Sequence, residues 1–417
     1  MSTFRRLAGE TKQRAARFRA VLPIMVGICA IGTGNTILTT KVSLHLSEPS
    51  ISSHVVELVL TAFPLGFLVG CLVARPLVSR LGHERTFLVI GLLAASAAGV
   101  YTLTTVATIW FCLRLLTGFA MATMFVTIES WINLYADQGN RGALFSLYML
   151  MSSLAVLFGQ LIVEAAGADS PFLFLFVLIS TSSGLFCSRF AGNRWPPLPK
   201  LLSDDASSFA PARGYALRQL VRLAPVTVVS VFQAGMANMN VYTMTPIYGE
   251  RVGLDAALSV SLITAFSVGG LLAQGPIGWL SDRMDRRLLL LLQGFATTCV
   301  CASIAMLEAS GEGLLCALFF AYGATALTIY PVSVAYANSR LASRDIVSAS
   351  GSLLLLYSMG NLLAPAVAAG LMDRVSPHAL FILLGSGALS VAAAAFFSLL
   401  RRRGTDANSS LAPCEGQ

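Results

Sequence analysis

Charged residues are scarce in this 417-residue chain, where 28 Lys and Arg and 20 Asp and Glu make up 12% of the sequence, against about 25% in soluble globular proteins. That scarcity excludes a soluble enzyme. Histidine is rarer still, and the four residues, His45, His54, His83 and His378, fall at the ends of apolar stretches or in loops. They supply no metal-ligand spacing, and no nucleophile stands with a base, so no enzyme, metal or cofactor is expected. A P-loop is missing, which argues against direct drive by ATP. Of the eight cysteines, Cys29, Cys71, Cys112, Cys299, Cys301 and Cys316 sit in apolar runs and read as core packing residues rather than a disulfide framework.

What the chain has instead is apolar surface: 56% hydrophobic residues and a mean hydropathy of +0.74. One aqueous core stops growing at about 250–300 residues, so the bilayer has to be the solvent. Apolar segments place spans at 21–40, 57–78, 87–105, 108–134, 143–165, 171–190, 224–247, 257–280, 288–307, 314–336, 347–370 and 378–400, each near the roughly 20 residues that cross a membrane as a helix. The expected fold is an all-α polytopic membrane protein with twelve transmembrane helices.

The net charge of +8 would suggest nucleic acid if it lay on one soluble surface. Alternating compartments along the spans divide it otherwise. The side of both termini holds 24 of the 28 Lys and Arg, the other side three, and a span the last, Arg114. The positive-inside bias then makes both termini of a multi-pass membrane protein cytoplasmic. Lipid is the expected partner, and nucleic acid is not. The basic opening MSTFRRLAGETKQRAARFRA reads as part of an uncleaved anchor or as a surface-lying amphipathic segment.

The longest polar segment, 191–222, carries Pro196, Pro197, Pro199 and Pro211 and a Ser/Asp-rich stretch at 203–208. It is read as a cytoplasmic linker between a six-helix bundle at 1–190 and a second bundle with its tail at 223–417. Internal repeats support that division. Leu60-Thr61-Ala62-Phe63, Gly66 and Arg80 recur as Ile263-Thr264-Ala265-Phe266, Gly269 and Arg283 at a constant offset, and Gly142, Leu144, Leu147 and Tyr148 recur as Gly351, Leu353, Leu356 and Tyr357. Two pseudo-symmetric bundles of this kind place a solute site between them near the membrane midplane.

The loop after the eighth span, Gly278-Trp279-Leu280-Ser281-Asp282-Arg283-Met284-Asp285-Arg286-Arg287, resembles the loop signature of the major facilitator superfamily. Its first-half counterpart keeps Arg80, Gly82 and Arg85 but has Ser79 where that family usually has Asp, and Asp285 stands where it normally has Gly. Arg114-Leu115-Leu116-Thr117-Gly118 in span four resembles a second signature, an intramembrane Arg followed by small residues. Glu129-Ser130, Asn140-Arg141-Gly142, Gly159-Gln160, Gly275-Pro276-Ile277-Gly278 and Tyr330-Pro331-Val332 resemble the bacterial YcaD-like branch.

The resemblance implies a gate. Asp282 approaches the positive start of span five across the interface of the halves and holds the cytoplasmic side closed, while Arg283, Arg286 and Arg287 stay near water or acidic partners. Ser79 would cap the start of span eleven as a neutral acceptor and a weaker latch. Read without the family, the same arginines are ordinary cytoplasmic loop charges.

Arg114 and Glu129 are the charges deepest in a span, which marks them as functional candidates. Fifteen residues apart on one helix, they are separated by about 22 Å along the axis and cannot touch. Arg114 either binds an anionic group of the solute or organises span packing. Glu129 is a proton acceptor, a solute hydrogen-bonding group or a structural partner of an inner-loop Arg, whereas Glu57 and Glu164 sit at outer span ends. Asn35, Gln160, Gln233, Asn238, Asn240 and Asn361 are the amides of the pathway, with Tyr242, Tyr322, Tyr330 and Tyr357 beside them; interhelical bonding accounts for such groups equally well. Span seven, with Gln233, Asn238 and Asn240, lines the central cavity in the superfamily that the chain resembles.

The expected function is secondary active transport of a small organic solute by alternating access, with the proton as coupling ion and a monomer as the working unit. Some relatives of the branch are regarded as riboflavin carriers and other superfamily members export siderophores or drugs. Span five, Met151 to Ala166, holds no proline, unlike drug antiporters. A transporter-shaped sensor or scaffold that moves no solute is the alternative from another class.

Overall fold

A computed structural model of the chain describes residues 2–48, 51–104, 106–135, 141–167, 170–189, 219–222, 224–306, 311–340 and 346–409. Its thirteen helices among these residues are α1 (Ser2–Leu46), α2 (Ser53–Leu81), α3 (His83–Tyr101), α4 (Ala107–Tyr135), α5 (Arg141–Ala166), α6 (Leu173–Arg189), α7 (Pro225–Arg251), α8 (Ala256–Ser281), α9 (Arg286–Met306), α10 (Glu312–Ala326), α11 (Ile329–Asn338), α12 (Ile346–Arg374) and α13 (Ala379–Ser409). Helices suit a bilayer, since hydrocarbon offers backbone N–H and C=O groups no partner and a helix satisfies them within itself.

Among the described residues ten stretches, from Leu22–Leu46 to Ala379–Leu400, are long and apolar enough to cross a membrane, and Leu173–Phe186 is a shorter apolar helix. Pro225–Arg251 completes the set of twelve with a more polar sequence that includes Gln233, Asn238 and Asn240. The helices run past the expected spans at several ends. The first extends through Leu46 and the second through Leu81, because a helix continues into the polar zone until a residue stops it. Gly82 does so for α2 at a φ of 80°, where a side chain would be strained. The tenth span, Glu312–Asn338, is broken into α10 and α11 at Leu327 and Thr328. Pro331 offers no N–H to the Leu327 carbonyl one turn back, which accounts for the interruption.

The chain separates into two compact units, 1–208 and 209–417, with the division inside a segment outside the described residues. Within the first unit α2 packs on α4, α1 on α5 and α6, and α3 on α4 and α6; within the second α8 packs on α10, α7 on α12 and α13, and α9 on α10 and α13. The second list repeats the first, helix for helix.

Glycines explain why the repeat survives in sequence. A Cβ on Gly66 would overlap the carbonyl of Leu115, and one on Gly118 the carbonyl of Phe63; Gly269 meets Phe320 and Gly323 meets Phe266 in the same way. Each glycine faces the residue three positions before its partner glycine. Small residues let helix backbones approach in lipid, where no hydrophobic drive pushes them together.

The exterior is as apolar as the interior. Leu72, Leu92, Phe295 and Phe397 are all exposed, a surface suited to acyl chains. One expectation is corrected here. Of the six cysteines read as core residues only Cys301 is buried, while Cys112 and Cys299 are exposed and Cys29, Cys71 and Cys316 are intermediate. In a bilayer an apolar run has two apolar surroundings, lipid and core, and composition does not choose between them.

Candidate functional site

Arg114 lies on α4 with none of its surface exposed. Its Nη1 donates to the Thr39 hydroxyl of α1 at 3.1 Å, and the guanidinium carbon sits 4.6 Å from the centre of the Phe63 ring of α2. Nε and Nη2 have no hydrogen-bond partner among the described residues. Thr39 is half-buried and stands one turn from the half-buried Asn35, on the same face of α1.

Glu129 is half-buried near the far end of the same helix. The Tyr148 hydroxyl of α5 donates to its Oε1 at 3.4 Å, and the Tyr148 ring meets Phe125 edge-on. Thus each intramembrane charge has acquired a neutral neighbour from another helix. No inner-loop Arg bonds Glu129 among the described residues. Beside it, the buried His83 at the start of α3 exchanges a 3.0 Å hydrogen bond with Ser130.

The amides divide by surroundings. Gln160 is fully buried and bonded in both directions to Thr40, at 3.0 and 3.3 Å, so it ties α5 to α1. Gln233 donates to the Leu384 carbonyl at 3.1 Å and ties α7 to α13. Asn238 donates to the Tyr357 hydroxyl at 2.9 Å, whose ring stands edge-on to Tyr330 at 5.1 Å. One turn along, Tyr242 shares a 3.3 Å hydrogen bond with Ser267. Asn240 points elsewhere on α7, fully buried, with neither amide atom paired among the described residues. Asn361 is half-buried on α12, its backbone against Gly235.

In the loop signature, Asp282 caps the end of α8, exposed, with its carboxylate 3.2 Å from Arg286. Arg286 also donates to Ser281, and Arg283 lies over the Trp279 ring at 3.8 Å. Ser79, Arg80 and Arg85 are exposed, and the Ser79 hydroxyl donates back to the Pro76 carbonyl of its own helix. The start of span eleven, which Ser79 was expected to cap, has side chains outside the described residues. Asp285 has an evident task. It accepts the Arg287 backbone N–H at 2.9 Å as the cap of α9, and its two oxygens take Arg287 Nε and Nη2 at 3.1 and 2.6 Å. The buried Arg287 reaches the Ser398 carbonyl of α13 with Nη1 at 3.2 Å.

Thr39, Phe63, Tyr148 and His83 are the site neighbours that sequence reasoning did not select. Phe63 and Tyr148 carried a signal as positions of the internal repeat, and His83 as a residue between Gly82 and Arg85 in the loop counterpart; Thr39 carried none.

The profile of the Major Facilitator Superfamily matches residues 24–263 and 256–413. The chain belongs to the major facilitator superfamily. It is 27% identical over 368 residues to the "Uncharacterized MFS-type transporter YcaD" of Escherichia coli (strain SE11) and of Shigella flexneri, covering 88% of this chain and 93% of the relative. Among solved structures, the nucleoside transporter NupG superposes with a TM-score of 0.69 at 14% identity over 91% of this chain and 98% of that chain. The D-xylose-proton symporter gives 0.68 at 17% identity over 91% and 96%. These likenesses carry the twelve-helix major facilitator superfamily fold, in a family of transporters rather than enzymes.

Proposed function

We propose that this chain is a secondary active carrier that moves a small organic solute across the bacterial inner membrane by alternating access, with protons as the coupling ion. The observation that carries the reading is Glu129: an acid inside a span, half-buried, whose described partner is a neutral tyrosine rather than a fixed cation. Such a group takes up and releases a proton as its surroundings alternate, whereas a carboxylate locked to an arginine would stay charged. Arg114, Asn35, Asn238, Asn240 and Asn361 serve the solute, and Gln160 and Gln233 hold the helices that present them. Asp282 with Arg283 and Arg286, and Ser79 with Arg80 and Arg85, gate the cytoplasmic side. Both termini and the 191–222 linker are cytoplasmic in this reading, which rests on the charge asymmetry of the loops.

The test is uptake into proteoliposomes under imposed pH gradients, with riboflavin, ferric siderophores and bacterial small-molecule extract as candidate solutes. Glu129→Gln keeps size and hydrogen bonding but binds no exchangeable proton. It is expected to abolish accumulation driven by pH while sparing exchange of solute down its own gradient. Accumulation equal to that of the unaltered chain overturns proton coupling through Glu129.

A further inference from the structure

A guanidinium has one long edge on which Nε–H and Nη2–H point the same way, matched in spacing to the two oxygens of a carboxylate. Among the described residues Arg287 shows such an edge in use: it turns Nε and Nη2 to the Asp285 carboxylate and sends Nη1 to a carbonyl. Arg114 is arranged likewise, but with one difference. Its Nη1 is taken by Thr39, its flat face by Phe63, and the Nε/Nη2 edge is fully buried without a partner among the described residues. Two N–H donors on a buried cation are costly to leave unpaired. The Tyr101 hydroxyl, also buried, lies within electrostatic reach of the same guanidinium.

We propose that the Nε/Nη2 edge of Arg114 is a carboxylate-binding site, so that the transported solute is an organic acid recognised in its ionised form. The inference rests on the carrier reading above and narrows its solute. A single negative charge with two coplanar oxygens matches one guanidinium edge; a phosphate dianion brings more charge and more oxygens than this edge and its hydroxyl neighbours can satisfy. The Phe63 ring, 4.6 Å from the guanidinium carbon, helps hold the cation in place by a cation–π contact. Thr39 and Phe63, the partners that hold the guanidinium, are both half-buried, so the site is bounded by α1 and α2.

Small-molecule extract of bacterial cells, split by anion exchange into acidic and neutral fractions, is presented to proteoliposomes holding the full chain and to protein-free vesicles. Trapped solutes are identified by mass spectrometry. The expected result is an accumulated carboxylic acid from the acidic fraction, with its own carboxamide excluded. Arg114→Gln is expected to lower uptake of that acid roughly tenfold to a hundredfold, and Arg114→Lys, which keeps the charge without the edge, to fall between. Should Arg114→Gln fail to fold, the acid-against-carboxamide comparison on the unaltered chain decides alone. A neutral solute accumulated, a carboxamide carried as well as its acid, an accumulated phosphate lacking a carboxylate, or an unaffected Arg114→Gln overturns the carboxylate site and leaves the carrier reading standing. No solute trapped from either fraction overturns both.

Discussion

Tyr148 donates its hydroxyl to Glu129 across 3.4 Å, from helix α5 to helix α4. If the pair acts as one proton-handling unit, removing either member disables the same step. Tyr148→Phe is expected to reduce pH-driven accumulation severalfold, and the double variant Tyr148→Phe, Glu129→Gln to be no worse than Glu129→Gln alone. Initial rates in proteoliposomes check this; losses that multiply would show two independent roles.

Asp285 caps α9 and pairs with a buried Arg287. Asp285→Ala leaves that cation uncompensated, a loss of about 1–3 kcal/mol once the half-exposure of Asp285 is taken into account. Asp285→Asn keeps the cap and is expected to lose less. Asp282→Asn, at a largely exposed ion pair with Arg286, costs under about 1 kcal/mol. Thermal unfolding of the detergent-solubilised chain ranks the three.

The reciprocal glycines make a second stability prediction. Gly118→Ala and Gly323→Ala each force a methyl against a backbone carbonyl and are expected to destabilise by about 1–3 kcal/mol, alike in both halves. Gly275→Ala and Gly278→Ala meet nothing within 4 Å and are expected to be neutral or slightly stabilising. Equal effects at all four positions would refute the clasp.

For orientation, a reporter fused after Arg403 is expected to be active in the cytoplasm. In a cysteine-free background, single cysteines placed between 248 and 256 are expected to react with a charged maleimide added outside, and those between 191 and 222 only after permeabilisation. External labelling of the 191–222 segment inverts the assignment.

The spans were legible because charge is so rare that apolar periods stand out, and the repeat because glycines at backbone contacts admit no substitute. Arg114 and Glu129 were legible for the same reason, as the charges furthest inside apolar runs. Their neighbours were not. Thr39 lies 75 residues from Arg114 and Tyr148 nineteen from Glu129, distances bridged by packing that no local pattern records. Phe63 stood out in sequence only as a position of the internal repeat. Gln160 read as a pathway amide because its residue type is polar, and only the position of Thr40 shows that both its hydrogen-bonding groups are already committed. Asp285 stood out as a departure from the loop pattern; its pairing with the buried Arg287, which in turn reaches α13, gave the departure a purpose.

Helix pairs joined backbone to backbone, as α2 with α4 and α8 with α10 are, sense axial position rather than side-chain identity. Moving either helix against its partner takes the glycine from opposite the carbonyl, and only a residue without a Cβ lets that carbonyl approach so closely. Close backbone contact of this kind disfavours shear within either pair, and each pair is expected to move as a single strut. The tenth span divides its attachments at its interruption: before it α10 is fastened to α8 through Gly323, while after it α11 lies against α7. That span therefore ties the α8–α10 strut to the helix richest in amides through the break at Leu327 and Thr328, so a displacement of either is felt by the other.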